Sequence, residues 1–207
     1  MSLLWLLAAL LAPAAEDPAR IVYSKEFPGS TPAFVAITLE QSGRGEYREA
    51  PDDDSPVAFQ LSEAETREIF ALAEKLDYFQ RPLEAKLKVA FTGTKTFRYE
   101  RGSLRRQAQF NYSTDPDARL LWDWFERIAE SEQLLIKLER AARHDRLGVN
   151  QAVLELEAAY DRKRLVAPQQ FLKLLERIAG NEAYLHMARE RAARLAEAFR
   201  AADSAKP

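Results

Sequence analysis

The sequence predicts an α+β protein: a four-stranded antiparallel sheet in the order strand, strand, helix, strand, strand, followed by a helical C-terminal half. Three observations carry this. Eight of the ten prolines and five of the seven glycines lie at or before Pro116, so turn-forming residues crowd the first half. Two stretches of that half alternate apolar and polar residues, and the segment between them has the three- and four-residue spacing of an amphipathic helix. After Pro116 that helical spacing continues almost to the end of the chain.

Residues 34–40 (FVAITLE) place Val35, Ile37 and Leu39 on one face; the Ser42-Gly43-Arg44-Gly45 turn leads into a partner strand at 46–49 around Tyr47. Residues 50–56 read as a Pro- and Asp-rich loop. Ser62 and Glu65 then form a capping box, in which each side chain accepts from the other's backbone amide. The helix it opens carries Ile69, Leu72, Ala73, Leu76 and Phe79 as one stripe and stops before Pro82. In the second hairpin Lys95, Phe97 and Tyr99 alternate with Thr96, Arg98 and Glu100. After a turn at Arg101-Gly102-Ser103, Leu104, Ala108, Phe110 and Tyr112 alternate with Arg105, Gln107, Gln109 and Asn111.

Asp115 followed by Pro116 is an N-cap with a first-turn proline, opening a helix to about Asp145. Its seam is Leu121, Trp124, Ile128, Leu135, Leu138 and Ala142, interrupted by Ser131. Three more helices follow: one capped by Asn150, one opened by Pro168 and ended by Gly180, and one capped by Asn181 with a seam from Leu185 to Phe199. The words ERIA and ERAAR occur at 126 and 139 and again at 176 and 190. Two copies with a register shift read as chance recurrence in an Ala-, Arg-, Glu- and Leu-rich segment.

Residues 1–15 contain no Lys, Arg, Asp or Glu, and their run LLWLLAALLA ends at Ala12-Pro13-Ala14, small residues suited to a signal-peptidase site. The expected organisation is therefore a signal peptide at 1–15, a sheet-plus-helix domain at 16–114 and a helical domain or extension at 115–207. The apolar run is too short to cross a bilayer, so no stable membrane insertion is expected after cleavage. Export implies a periplasmic or secreted protein. The chain has no cysteine, which excludes a cysteine-linked lipoprotein anchor, disulfides, thiolate metal sites and thiol catalysis together. Thirty basic and 32 acidic residues nearly balance, and the sheet aromatics fall mainly on the inward phase; both argue against nucleic acid as a partner.

No catalytic, cofactor-binding or metal-ligating residue is assigned. His186 and Glu190 share a helix face, but no third ligand follows at metalloprotease spacing, so an ordinary helix pair is expected. His144 reads as a cation placed near a helix C-terminus. Asp52-Asp53-Asp54 lacks the loop of a calcium site, because Pro56 and Val57 stand where a turn is needed. No nucleophile elbow and no phosphate-binding glycine loop is present. The outward sheet phase is polar and mixed in charge. It supplies the candidate interaction surface, Arg48, Arg98, Arg105, Gln107 and Gln109, to which Trp122 is added as a candidate anchor. Trp122 lies off the helix seam, and the favoured reading for it is packing of the sheet domain onto the helices, with an exposed binding anchor as the alternative.

The words GTKTFRYE at 93–100 and FNYSTDPDAR at 110–119, with LSEAET at 61–66 and IFALAEKLDYF at 69–79, resemble an uncharacterised family of exported bacterial proteins. The resemblance implies export and an α+β fold, and no activity. The expectation is a non-enzymatic exported protein that binds another protein or an envelope component. The alternatives are a metal-dependent hydrolase using His186 and Glu190, and a structural spacer.

Overall fold

The computed structural model describes residues 18–204. The signal-peptide reading of residues 1–15 lies outside the described residues. The sheet is antiparallel, and it has six strands rather than four: β1 (Arg20–Glu26), β2 (Phe34–Glu40), β3 (Arg44–Arg48), β4 (Val57–Gln60), β5 (Thr94–Arg101) and β6 (Leu104–Phe110), ordered β4-β3-β2-β1-β5-β6. The two unforeseen strands do different work. β1 is central and pairs along its whole length with both β2 and β5, so it joins the two expected hairpins into one sheet. β4 adds an outer edge beside β3, with Gly45 directly opposite Phe59. That pairing needs glycine, because a Cβ at position 45 would stand 2.1 Å from the Phe59 ring.

Every strand turns its apolar phase to the same side, where α1 (Glu63–Lys75) and the first half of α2 (Pro116–His144) cover it. The capping box that starts α1 is present on both sides: Ser62 Oγ accepts from Glu65 N, and Glu65 accepts from Ser62 N at 2.9 Å. α1 ends earlier than its stripe predicts. Leu76 is the C-cap, and Asp77, Tyr78 and Phe79 then take φ values of 52°, 50° and 68°, a left-handed turn of three non-glycine residues. The turn carries Phe79 into the core, 5.2 Å from the Phe97 ring, where a continued helix was expected to place it.

The remaining helices are α3 (Gly148–Asp161), α4 (Leu172–Ala179) and α5 (His186–Ser204). Their starts correct two expected caps. α3 begins before Asn150, with Asp145 accepting from Gly148 N at 2.9 Å. Asn181 caps a turn ahead of α5 by accepting from Ala183 N, and Leu185 is 46% exposed outside the seam. The repeated words fall on unlike frameworks, both on the single helix α2 in the first copy and on the separate helices α4 and α5 in the second.

Buried apolar residues form two clusters, and α2 runs through both. Ala118, Leu121, Trp124, Phe125, Ile128 and Ala129 join the sheet's cluster, while Leu138 and Ala141 join the one built by α3, α4 and α5. Ser131 stands between them and is a junction rather than an interruption. Its hydroxyl donates to Arg127 O at 2.9 Å and accepts from Val166 N at 3.0 Å, tying the α3–α4 connection to the middle of α2.

Candidate functional site

Among the described residues no helix is packed on the outward side of the sheet, so the polar phase of the strands forms one open face. Its centre is Glu100. Register places Arg20 and Arg105 directly opposite it on the two neighbouring strands, and Arg98 precedes it on the same face. All three guanidinium groups converge on its carboxylate: Arg20 by a hydrogen bond, Arg98 at 3.0 Å and Arg105 at 3.7 Å. Glu100, expected to project into solvent, is therefore buried beneath its partners. Burial works to raise its pKa, but Arg20, Arg98 and Arg105 outweigh it and hold the carboxyl below its ordinary value.

A shallow groove of about 230 Å³ runs from this cluster toward β3, with Arg20, Arg44, Arg48 and Arg98 along it and Glu40 and Glu46 between them. Arg48 pairs with Glu46 at 3.1 Å and also donates to Asp53 O, which fixes the acidic loop as part of the rim. Within that loop Asp53 accepts from Ser55 N, so its carboxylate serves the turn. Gln107 and Gln109 are exposed on β6, beside Arg98 and Thr96. Five of the six predicted interaction residues thus share this face.

Trp122 does not. It lies on the covered side, half-buried against the sheet's apolar cluster, and its indole N–H donates to Glu126 at 3.0 Å. Sequence reasoning missed the network around it. β1 points Tyr23 and Lys25 inward; the Tyr23 hydroxyl donates to Glu126 at 2.7 Å, and Lys25 Nζ lies 3.1 Å from the same carboxylate. Burial acts to raise the Glu126 pKa, and the Trp122 and Tyr23 donors with Lys25 overcome it, leaving the carboxyl below its ordinary value. Tyr23 responds in the complementary direction: burial, then the adjacent Glu126 charge, raise its pKa well above normal.

Lys95, on the apolar phase of β5, is fully buried. Its Nζ donates to Thr92 Oγ1 at 2.9 Å and to Asn111 O at 2.8 Å, and sits 4.7 Å from the centre of the Trp122 ring. Burial and then the nearby Lys25 lower its pKa. Every donor is directed at an acceptor or a ring face, so this lysine pins the segment before β5 to α2 instead of offering a nucleophile. The signal in the sequence was the lysine on an otherwise apolar phase. What it would meet depended on α2.

The histidines do not build a centre. His186 Nε2 and Glu190 Oε1 are 3.3 Å apart on α5, with side chains 77% and 55% exposed, and His144 closes the last turn of α2. Among the described residues, no three His, Cys, Asp or Glu side chains converge as metal ligands, and no helix is long and apolar enough to cross a membrane. No family model matches the chain, and no curated protein matches it.

Proposed function

We propose that this chain is an exported, non-enzymatic binding protein that receives a protein or envelope component on the open face of its sheet. One observation carries the reading. α1 and the first half of α2 cover one side of the sheet, leaving on the other a six-stranded surface whose groove concentrates arginines over a few carboxylates. Arginine suits such a surface, because its planar fork exchanges one carboxylate for another without loss of geometry. Arg105 and Arg98 keep 73% and 42% of their side chains exposed while paired with Glu100, so an incoming carboxylate can reach them. The apolar leader at residues 1–15 is the ground for export.

The test compares the chain with a triple variant, Arg48→Ala, Arg98→Ala and Arg105→Ala, as baits in an envelope extract. Arg20 still pairs with Glu100 in that variant, so its fold should survive, which circular dichroism can check. A partner retained by the parent chain and lost by the triple variant, with capture weakened by salt, is the expected result. Equal recovery of every partner by both baits would sink the proposal.

A further inference from the structure

On the covered side of the sheet, a second cleft of about 650 Å³ opens along the first turns of α2, a volume typical of small-ligand sites. Pro116, Leu120 and the Trp122 indole make its apolar wall. Leu120 is 56% exposed, so this wall presents apolar surface to water.

The charged wall can be accounted for group by group. Arg164 donates to Asp123 at 2.6 Å and to Glu130 at 2.9 Å. Glu126 is held by Tyr23, Lys25 and Trp122. Arg119 differs from these: it lines the cleft, and its guanidinium has no ion pair or hydrogen bond among the described residues. Among the described residues the cleft therefore offers one cation without a partner beside an apolar wall, while each of its carboxylates already has a cationic one. A cationic ligand would find each carboxylate already held. An uncharged one would cover Arg119 and strip it of water without giving it a partner.

We propose that this cleft binds a small amphiphilic carboxylate, its carboxylate on Arg119 and its apolar body against Leu120, Trp122 and Pro116. The site lies on the opposite side of the sheet from the arginine groove and stands independently of it. Arginine favours a carboxylate over a simple halide because two parallel N–H donors match two oxygens.

The full chain is titrated with decanoate below its micelle-forming concentration and, separately, with 3-phenylpropanoate. The indole N–H resonance of Trp122 is followed by NMR, assigned by its loss in Trp122→Phe. A saturable shift with at least one of the two acids is expected. Arg119→Gln should weaken it about tenfold or more, and Leu120→Ser should weaken it as well. Decanol, with the same tail and no charge, should bind about tenfold more weakly than decanoate if that is the acid bound. Arg119 and Leu120 are exposed, so unchanged thermal melts should accompany both losses. No saturable shift with either acid, or equal affinities for the parent chain and Arg119→Gln, overturns the assignment.

Discussion

Glu126 and Glu132 lie less than two turns apart on α2, and their surroundings push their protons in opposite directions. Glu126 is below its ordinary value because its donors outweigh burial, so it adds stability that is present above the unfolded-state pKa and lost as pH falls through the folded one. Glu132 has only Gln170, which donates to one oxygen at 2.8 Å; its other oxygen has no partner, nor has the Gln170 carbonyl. Burial therefore pushes its carboxyl from 4.5 up to about 7. The sign reverses accordingly. Between those two values the unfolded chain releases the proton while the native chain keeps it, so stability falls as pH rises through that window, and the penalty is complete above it. Glu132→Gln should flatten this fall and raise the unfolding free energy near pH 8 by on the order of 3 kcal/mol. Urea unfolding of both proteins at pH 5 and pH 8 measures it; the same gap at both pH values would mean that Glu132 does not titrate there. The sequence displays Glu132 as one charge on a charged helix. Its burial is a product of tertiary packing, and its hydrogen-bond partner Gln170 comes from a segment remote along the chain.

Elements were legible where their instructions are local. The Ser62–Glu65 box, the Asp115–Pro116 start and the alternation of β2, β5 and β6 each depend on neighbours within a few residues, and each is found where the sequence places it. Ser62→Ala should lower stability by about 1 kcal/mol through loss of the cap, read as a shift in denaturation midpoint with unchanged slope. β1 was not legible. Lys25 breaks its apolar alternation, and its strand character comes from being flanked by β2 and by β5, whose residues lie far along the chain. β4 is four residues long, too short for periodicity to distinguish it from the loop before it. The end of α1 failed for another reason: its helical stripe runs on through Phe79, but a left-handed turn satisfies the same burial by a different path.

At the scale of the whole molecule, α2 decides how the two apolar clusters are related. One continuous helix supplies core residues to both, and the Ser131–Val166 bond fastens the later connection at its midpoint. Unfolding should therefore be a single transition: the urea curve followed by Trp122 and Trp124 fluorescence, which reports the sheet side, should coincide with the far-ultraviolet circular dichroism curve. Separated midpoints would show that the two clusters melt independently. The open sheet face was readable in outline, because strand alternation alone sorts Arg48, Arg98, Arg105, Gln107 and Gln109 onto one side. Trp122 could not be sorted that way, since a helix position off the seam has no side until its neighbours are placed. What the sequence by itself determined is the class, α+β, with its caps, its turns and the polar phase of its sheet, all products of short-range sterics and periodicity. Only the tertiary structure decided that β1 unites the hairpins, that Glu100 sinks beneath three arginines, and that Tyr23, Lys25 and Trp122 meet at Glu126. Those outcomes depend on pairing and burial between residues far apart in the chain, where desolvation and partner geometry set the energy.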